Sequence, residues 1–364
     1  MKLGMVSPLP PARTGVADYA AGLAGALRRR VRIDLLDGAR GGYDSLLYQL
    51  GNNTLHLAAY RAALAEPGIA VLHDAVLHHL LLGSLDEAGY VEEFVYNYGE
   101  WRREQARDLW RSRSRSAADF RYFQYPMIRR VAERSRAVVV HNPAAQQMVL
   151  RAVPGARVVR IPHYFVPRAL PGQARRTRDR LGIASDEVVI AAFGYLRESK
   201  RIGSILRALP AVKHCRFLLA GRFVSPELER ALEPLLASSG VLRLGYLPED
   251  EFWRIAEITD ICVSLRSPSA GETSGITIKL MGIGKPVLVT DGEETRDFPE
   301  LSVIRVDPGE GEVDMLAGYL RVLADCPEMR REIGGRAARH IAERHSLEEV
   351  ARMYLELVSV AKRL

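Results

Sequence analysis

Short runs of Val, Ile and Leu recur along the chain, each about one strand long, separated by stretches in which apolar residues return at helical spacing. In the first half such runs occupy residues 2–6, 31–36, 45–49, 69–72, 137–140 and 158–161. In the second half they occupy 188–193, 217–220, 242–244, 261–265 and 286–290, with a weaker run at 303–306. Runs that are apolar at every position, rather than at alternate ones, predict strands covered on both faces and therefore parallel sheets flanked by helices. Two such series predict two doubly wound α/β domains, with ligands bound where the carboxyl ends of the strands face a cleft. Pro, Gly and Arg collect at 166–179, which sets the expected domains at 1–170 and 171–345. The last stretch, 346–364, reads as an amphipathic helix opened by Ser346 and Glu349 and expected to pack back on the first domain.

The strand series is interrupted between about residues 87 and 136 by a helical segment rich in Arg and aromatic residues. It reads either as a pair of solvated helices or as a basic surface that meets an anionic acceptor or membrane. The 364 residues suit two domains, and the net charge of +7 favours acidic partners such as phosphorylated small molecules, an anionic membrane or nucleic acid. Lys stands at only six positions, so a Lys inside a motif-like segment draws attention. Cys215, Cys262 and Cys326 have neither a disulfide pattern nor metal-ligand spacing, so no metal is expected. No apolar run approaches the roughly 18 residues of a membrane span, and the start lacks a secretory signal; a cytoplasmic protein is expected.

Three strand-loop-helix junctions carry candidate chemistry. In "VSPLPPARTGVADYA", Gly15 precedes a helix and is either a turn glycine or a place where backbone approaches a phosphate. In "AAFGYLRESKRIGS", Gly194 ends a strand while Arg197, Lys200 and Arg201 crowd the next helix start, against the helix dipole. Either a bound pyrophosphate or a solvated turn accounts for them. In "SAGETSGITIKLMGIGKP", Ser269 and Glu272 fit a capping box, which would make Glu272 structural. The poor helix formers Gly271, Thr273, Ser274 and Gly275 favour instead a loop through Gly271, a cap at Thr273 or Ser274, and Glu272 projecting into the cleft. His73, His141 and His163 all fall at strand ends, and His73 comes with Asp74, His78 and His79.

The ordered segments "PPARTGVADY", "YQLGNNTLH", "VLHDAVLHH", "VVVHN", "FGYLRESKR", "LLAGR", "LGYLP" and "SLRSPSAGETSGITIKLMGIGKPVLVTD" resemble glycosyltransferase family 4. The resemblance implies a GT-B fold of two Rossmann-like domains facing a cleft, and a retaining, metal-independent transfer from a nucleotide-diphosphate sugar to an acceptor hydroxyl. By motif position, Gly15 would touch the donor phosphates, Lys200 would neutralise the diphosphate, and Glu272 would hold sugar hydroxyls. His73 would help to position the sugar. Thr273, Ser274 and Gly275 would floor the anion site, and Asn52, Asp74 and His78 fall on the acceptor side. Two departures stand out. Tyr195 follows Gly194 where the family places Arg, leaving Arg197 as the substitute cation, and Lys279 stands where a second acid would bind the ribose.

The expected partners are thus a nucleotide-sugar donor, serving as substrate so that no cofactor is needed, and a carbohydrate or lipid-linked acceptor. A peripheral contact with an anionic membrane and a role in polysaccharide or glycolipid synthesis go with that reading. A sugar-nucleotide 2-epimerase of the same fold is one alternative. A non-catalytic basic binding protein is another, although no nucleic-acid module accompanies the aromatic residues of the insertion, so no nucleic-acid partner is expected. A glycosidase would need two facing carboxylates, and only Asp74 lies near.

Overall fold

The structure, a computed structural model, describes residues 1–12, 14–237 and 240–361. Arg13, within the first phosphate-type segment, and the last three residues of the expected C-terminal helix lie outside the described residues. The chain forms two compact units. Met1–Tyr164, Pro268–Thr273 and the stretch from His345 onward make up the first; Phe165–Ser267 and Ser274–Arg344 make up the second. Seven residues from the span expected for the second domain, Pro268–Thr273 with Glu272 among them and His345, therefore belong by contact to the first unit.

The first unit holds a parallel sheet of β1 (Lys2–Val6), β2 (Arg32–Leu36), β3 (Ser45–Leu50), β4 (Ile69–Leu72), β5 (Ala137–Val140) and β6 (Val158–Arg160), ordered β2-β1-β3-β4-β5-β6. Its helices are α1 (Gly15–Arg28), α2 (Leu57–Ala65), α3 (His78–Leu82), α4 (Glu87–Tyr98), α5 (Arg103–Arg111), α6 (Arg121–Gln124), α7 (Arg129–Arg134) and α8 (Pro143–Ala152). The second unit repeats the plan. Its strands are β7 (Val188–Phe193), β8 (Cys215–Ala220), β9 (Val241–Arg243), β10 (Ile261–Ser264), β11 (Val287–Thr290) and β12 (Ile304–Val306), ordered β12-β11-β10-β7-β8-β9. Its helices are α9 (Ala174–Arg180), α10 (Ile202–Ala208), α11 (Pro226–Leu236), α12 (Glu249–Ile258), α13 (Gly275–Gly282), α14 (Glu312–Asp325) and α15 (Pro327–Arg344). The last helix, α16 (Leu347–Ala361), belongs to the first unit.

All twelve expected strands form, and the reason is visible in the packing. Successive side chains of a strand point to opposite faces. In the first sheet Leu3, Met5, Leu47, Ile69, Val71 and Val139 enter one core with Leu23 and Leu27 of α1 and Tyr354 of α16. Their neighbours Val6, Leu46, Tyr48, Ala70, Leu72 and Val140 enter the other, beneath α2, α4, α5 and α7. In the second sheet Val189, Ala191 and Phe193 face one core while Ile190 and Ala192 face the other.

The Arg-rich segment is neither a solvated helix pair nor wholly a surface. Tyr90, Phe94, Leu109 and Tyr122 are fully buried in the first unit's core. The arginines lie outside the core and several are ion-paired, with Arg103 bound to Glu92 at 2.6 Å, Arg121 to Asp108 at 2.8 Å and Arg130 to Glu93 at 2.6 Å. Of the aromatic residues there, Trp101 and Phe120 remain well exposed.

Candidate functional site

In the first unit the carboxyl ends of β1, β3, β4, β5 and β6 gather the candidate residues. Gly15 opens α1, and Thr14 caps it by accepting from the Val16 N–H at 3.4 Å. A methyl group at Gly15 would meet no protein atom within 4 Å, and its φ is not positive, so nothing in the fold demands glycine there. Four residues on Tyr19 is buried, its ring centroid 4.8 Å from that of His73 and 5.0 Å from that of His163. His73 and His141 lie 5.0 Å apart. The three strand-end histidines picked out by sequence thus form one cluster.

The hydrogen bonds fix their protonation. His73 Nε2 lies 2.7 Å from Gln49 Oε1, and a carbonyl oxygen can only accept, so Nε2 carries the proton. His141 Nδ1 likewise donates to the Ile161 carbonyl at 2.7 Å. Burial, with neighbouring imidazoles adding to it, holds the His73 pKa well below the usual histidine range, and burial lowers that of His141 to about 4. Both are neutral near pH 7, suited to hydrogen bonding and not to carrying charge.

Asn52, Asp74 and His78 are drawn into local structure. Asp74 accepts the Asn52 N–H at 2.7 Å, while Asn52 Oδ1 accepts the His79 N–H at 2.8 Å, holding the first turn of α3. His78 is fully buried away from the His73 cluster. Its Nδ1 donates to the Tyr125 carbonyl at 2.9 Å, its Nε2 accepts from the Tyr90 hydroxyl at 2.7 Å, and burial pushes its pKa down to about 3.

The loop Pro268–Thr273 is pinned to the same strand ends. The Ala270 carbonyl accepts N–H groups of Ala75 at 2.8 Å and Val76 at 3.1 Å. Asn142 Nδ2 donates to the Gly271 carbonyl at 2.9 Å and to Thr273 Oγ1 at 3.0 Å, while its Oδ1 caps α8 through the Ala145 N–H at 2.9 Å. Gly271 has φ +73° and sits against Ala75 and Met148, so both backbone shape and space exclude a side chain. Glu272 Oε2 accepts from the Ala270 N–H at 2.8 Å and the Ser269 hydroxyl at 3.3 Å. The Ser269–Glu272 pairing of the capping-box reading is therefore present, but it closes a loop. The helix begins at Gly275, and Ser274, not Thr273, caps it by accepting the Thr277 N–H at 3.2 Å.

In the second unit, Gly194 follows β7 with φ +90°. Gly221 after β8 lets the Gly194 carbonyl approach so closely that a methyl there would lie 1.9 Å from it. The loop then returns Lys200, which is buried, to donate from Nζ to the Phe193 carbonyl at the β7 end. Arg197 is exposed at the start of this turn. Arg201 is committed elsewhere, bound at 2.9 Å to Glu312, which is only 2% exposed. Lys279 places its ammonium 5.2 Å from the Phe252 ring centroid and 5.9 Å from that of Trp253, a cation–π position. Cys262, its thiol pushed up to about 12 by burial, is inert. Among the described residues no group of three or more His, Cys, Asp or Glu is placed to hold a metal ion, and no helix is long and apolar enough to cross a membrane.

Gln49 and Asn142 were not singled out by sequence. Asn142 had a signal, an Asn-Pro pair at a strand end that reads as helix cap and first turn. Gln49 had none beyond a polar residue ending an apolar strand.

Residues 197–356 match a family model described as glycosyl transferase-like. No curated protein sequence matches the chain. Among solved structures, HepE from Anabaena, in complex with UDP and glucose, is similar at a TM-score of 0.71 and 15% identity, covering 99% of this chain and 100% of that one. Sucrose-phosphate synthase from Thermosynechococcus elongatus gives 0.67 and 14% over 99% and 100%. WaaG, a glycosyltransferase involved in lipopolysaccharide biosynthesis, gives 0.66 and 13% over 98% and 99%. The two doubly wound units are those of the GT-B fold expected from the sequence.

Proposed function

We propose that the protein is a metal-independent, retaining glycosyltransferase of family 4 type. It moves a sugar from a nucleotide-diphosphate sugar to the hydroxyl of a carbohydrate or lipid-linked acceptor in polysaccharide or glycolipid synthesis. The observation that carries the reading is the glycosyl transferase-like match over residues 197–356, which includes Arg197, Lys200, Glu272 and Lys279. The similarity to HepE, crystallised with UDP and glucose, supports a nucleotide-sugar donor.

In this reading the bond between the anomeric carbon and the phosphate oxygen breaks as the acceptor oxygen bonds to the same face. The acceptor's proton passes to the departing phosphate oxygen. The charge gathering on the diphosphate is met by Lys200, by Arg197 and by the amino end of α13 with Ser274 and Gly275, groups already oriented before the bond breaks. Gly15 offers backbone to the phosphates, Glu272 holds sugar hydroxyls, and neutral His73 orients the sugar. Lys279, held over Phe252, meets the nucleotide in place of the ribose-binding acid. Asn52, Asp74 and His78 shape the acceptor side, the exposed Trp101 and the arginines near it touch an anionic membrane, and the protein acts in the cytoplasm.

The test is incubation with UDP-glucose, then with other UDP-, GDP-, ADP- and dTDP-sugars, following thermal shift, donor hydrolysis and transfer with retention of anomeric configuration. No binding, hydrolysis or transfer with any of them would sink the reading. Conversion of the donor sugar with no acceptor present would replace it with an epimerase.

A further inference from the structure

Arg201 has φ +56° and ψ +32°, the left-handed conformation that a residue with a Cβ keeps only where its surroundings hold it. Met127, His214 and Leu301 share a positive φ, but of these four only Arg201 directly follows a residue assigned to the diphosphate. Three consecutive residues of the turn are tied to three different parts of the second unit. The Ser199 carbonyl accepts the Ser267 N–H at 2.8 Å, just past β10. Lys200 Nζ donates to the Phe193 carbonyl that ends β7. Arg201 Nε donates to both oxygens of Glu312, at 2.9 and 3.2 Å, in the first turn of α14.

The Glu312 side chain is 2% exposed and that of Arg201 is 36% exposed, so the carboxylate is built into the fold and the guanidinium comes to it. A buried carboxylate is costly to the fold without its cation. It is not what joins α10 to α14, because Ile202, Ile205, Leu206, Leu316 and Leu320 already share one apolar core. What the ion pair adds is the direction of the turn.

We propose that Glu312 is a positioning residue for Lys200. Through Arg201 it holds the left-handed step that lets residue 200 reach back to the end of β7 while the chain goes on into α10, and so it fixes where the Lys200 ammonium stands. That this ammonium meets the donor diphosphate rests on the glycosyltransferase reading; its placement by Glu312 does not.

Acylation of the six lysines of the full-length protein, followed by mass spectrometry, reads that placement without substrate. Lys213 is exposed and sets the reference rate. Lys285, which donates to the Glu257 carbonyl at 2.8 Å in the same unit, reports general opening. Glu312→Ala should speed the labelling of Lys200 at least about tenfold relative to Lys213 and leave Lys285 unchanged. Arg201→Gly combined with Glu312→Ala carries the same cavity at residue 312, but glycine takes the left-handed conformation freely, so Lys200 should return to its wild-type rate. No change in Glu312→Ala, an equal gain at Lys285, or no recovery in the double variant overturns the proposal. If Glu312→Ala does not fold, Arg201→Ala and Arg201→Gly make the comparison with Glu312 intact. Both lack the guanidinium and only alanine keeps the strain, so Lys200 should be released in the first and protected in the second; equal labelling overturns the proposal.

Kinetics then tie the placement to the reaction. With a nucleotide sugar that the protein turns over, kcat of Glu312→Ala should fall about tenfold to a hundredfold, with a smaller change in donor KM, and recover in the double variant. An unchanged kcat with Lys200 released overturns the positioning role. If the wild type turns over no nucleotide sugar, the glycosyltransferase reading itself has failed, and the labelling alone decides whether Glu312 places Lys200.

Discussion

Gly15 and Lys200 are predicted to behave in opposite ways when they are replaced, because the fold asks nothing of one and a good deal of the other. At Gly15 there is room for a methyl group and an ordinary backbone conformation, so Gly15→Ala should leave stability unchanged or raise it by up to about 1 kcal/mol. If its bareness serves a phosphate, the same change should lower kcat/KM for the donor while circular dichroism and melting temperature stay put. Unchanged kinetics would return Gly15 to the status of a turn residue. Lys200 is buried and donates to the Phe193 carbonyl, so Lys200→Met keeps the stem and loses the charge. That change should raise the barrier by about 2–4 kcal/mol, read as a fall in kcat, because one preorganised cation is missing as the diphosphate departs. An intact kcat would show that the ammonium serves only the loop. Glu272→Gln preserves an oxygen for the Ala270 N–H, so it should spare the fold and impair use of the donor. A large loss of stability with unchanged kinetics would favour a purely structural acid.

The loop that carries Glu272 shows where sequence reading stopped. Its local chemistry was legible: glycine where φ is positive, a hydroxyl cap before Gly275, and Ser269 within reach of Glu272. Its attachment was not, because that depends on Asn142, 129 residues earlier in the chain, and on the N–H groups of Ala75 and Val76. Asn142 does two jobs that substitutions can separate. Asn142→Ser keeps a good cap for α8 but cannot span to the Gly271 carbonyl, so it should hold stability close to wild type while donor kcat/KM falls. Asn142→Ala loses both functions and should cost about 1 kcal/mol more in unfolding free energy. Equal stability for the two variants would mean that the α8 cap contributes nothing. The Arg-rich insertion was harder to read for another reason. Tyr90, Val91 and Phe94 recur at helical spacing, but aromatic residues lie on more than one side of the segment, and only the packing sorts Tyr90, Phe94 and Tyr122 inward from Trp101 and Phe120 outward.

For the whole molecule, the sheets were legible because parallel strands are apolar on both faces and each face feeds its own core. The pairing of distant side chains was not, and the buried histidines are the plainest case. His73, His78 and His141 all have pKa values depressed by burial, so the unfolded chain binds protons that the folded one refuses. Stability therefore rises with pH through this range: it is complete above the unfolded value near 6.5 and declines as pH falls toward about 4. Each of the three should contribute about 1 kcal/mol per pH unit of loss. Denaturant titrations at pH 7, 6 and 5, above the range where most carboxylates take up protons, should show the unfolding free energy dropping. A flat profile would mean that these imidazoles are not kept neutral by the fold.

The first unit begins with residue 1, yet it takes its last helix from the far end of the chain. Val350, Ala351, Tyr354 and Val358 of α16 are fully buried against α1 and the first sheet, and the Tyr354 hydroxyl meets that of Tyr19 at 3.1 Å. At roughly 2 kcal/mol for each large apolar side chain, these contacts rival the whole stability of an ordinary domain. During synthesis the half that emerges first from the ribosome is thus the half that finishes last. Its apolar face against α16 stays open while the entire second unit is translated, so a chain that stops before Leu347 loses the closure of the first unit's core.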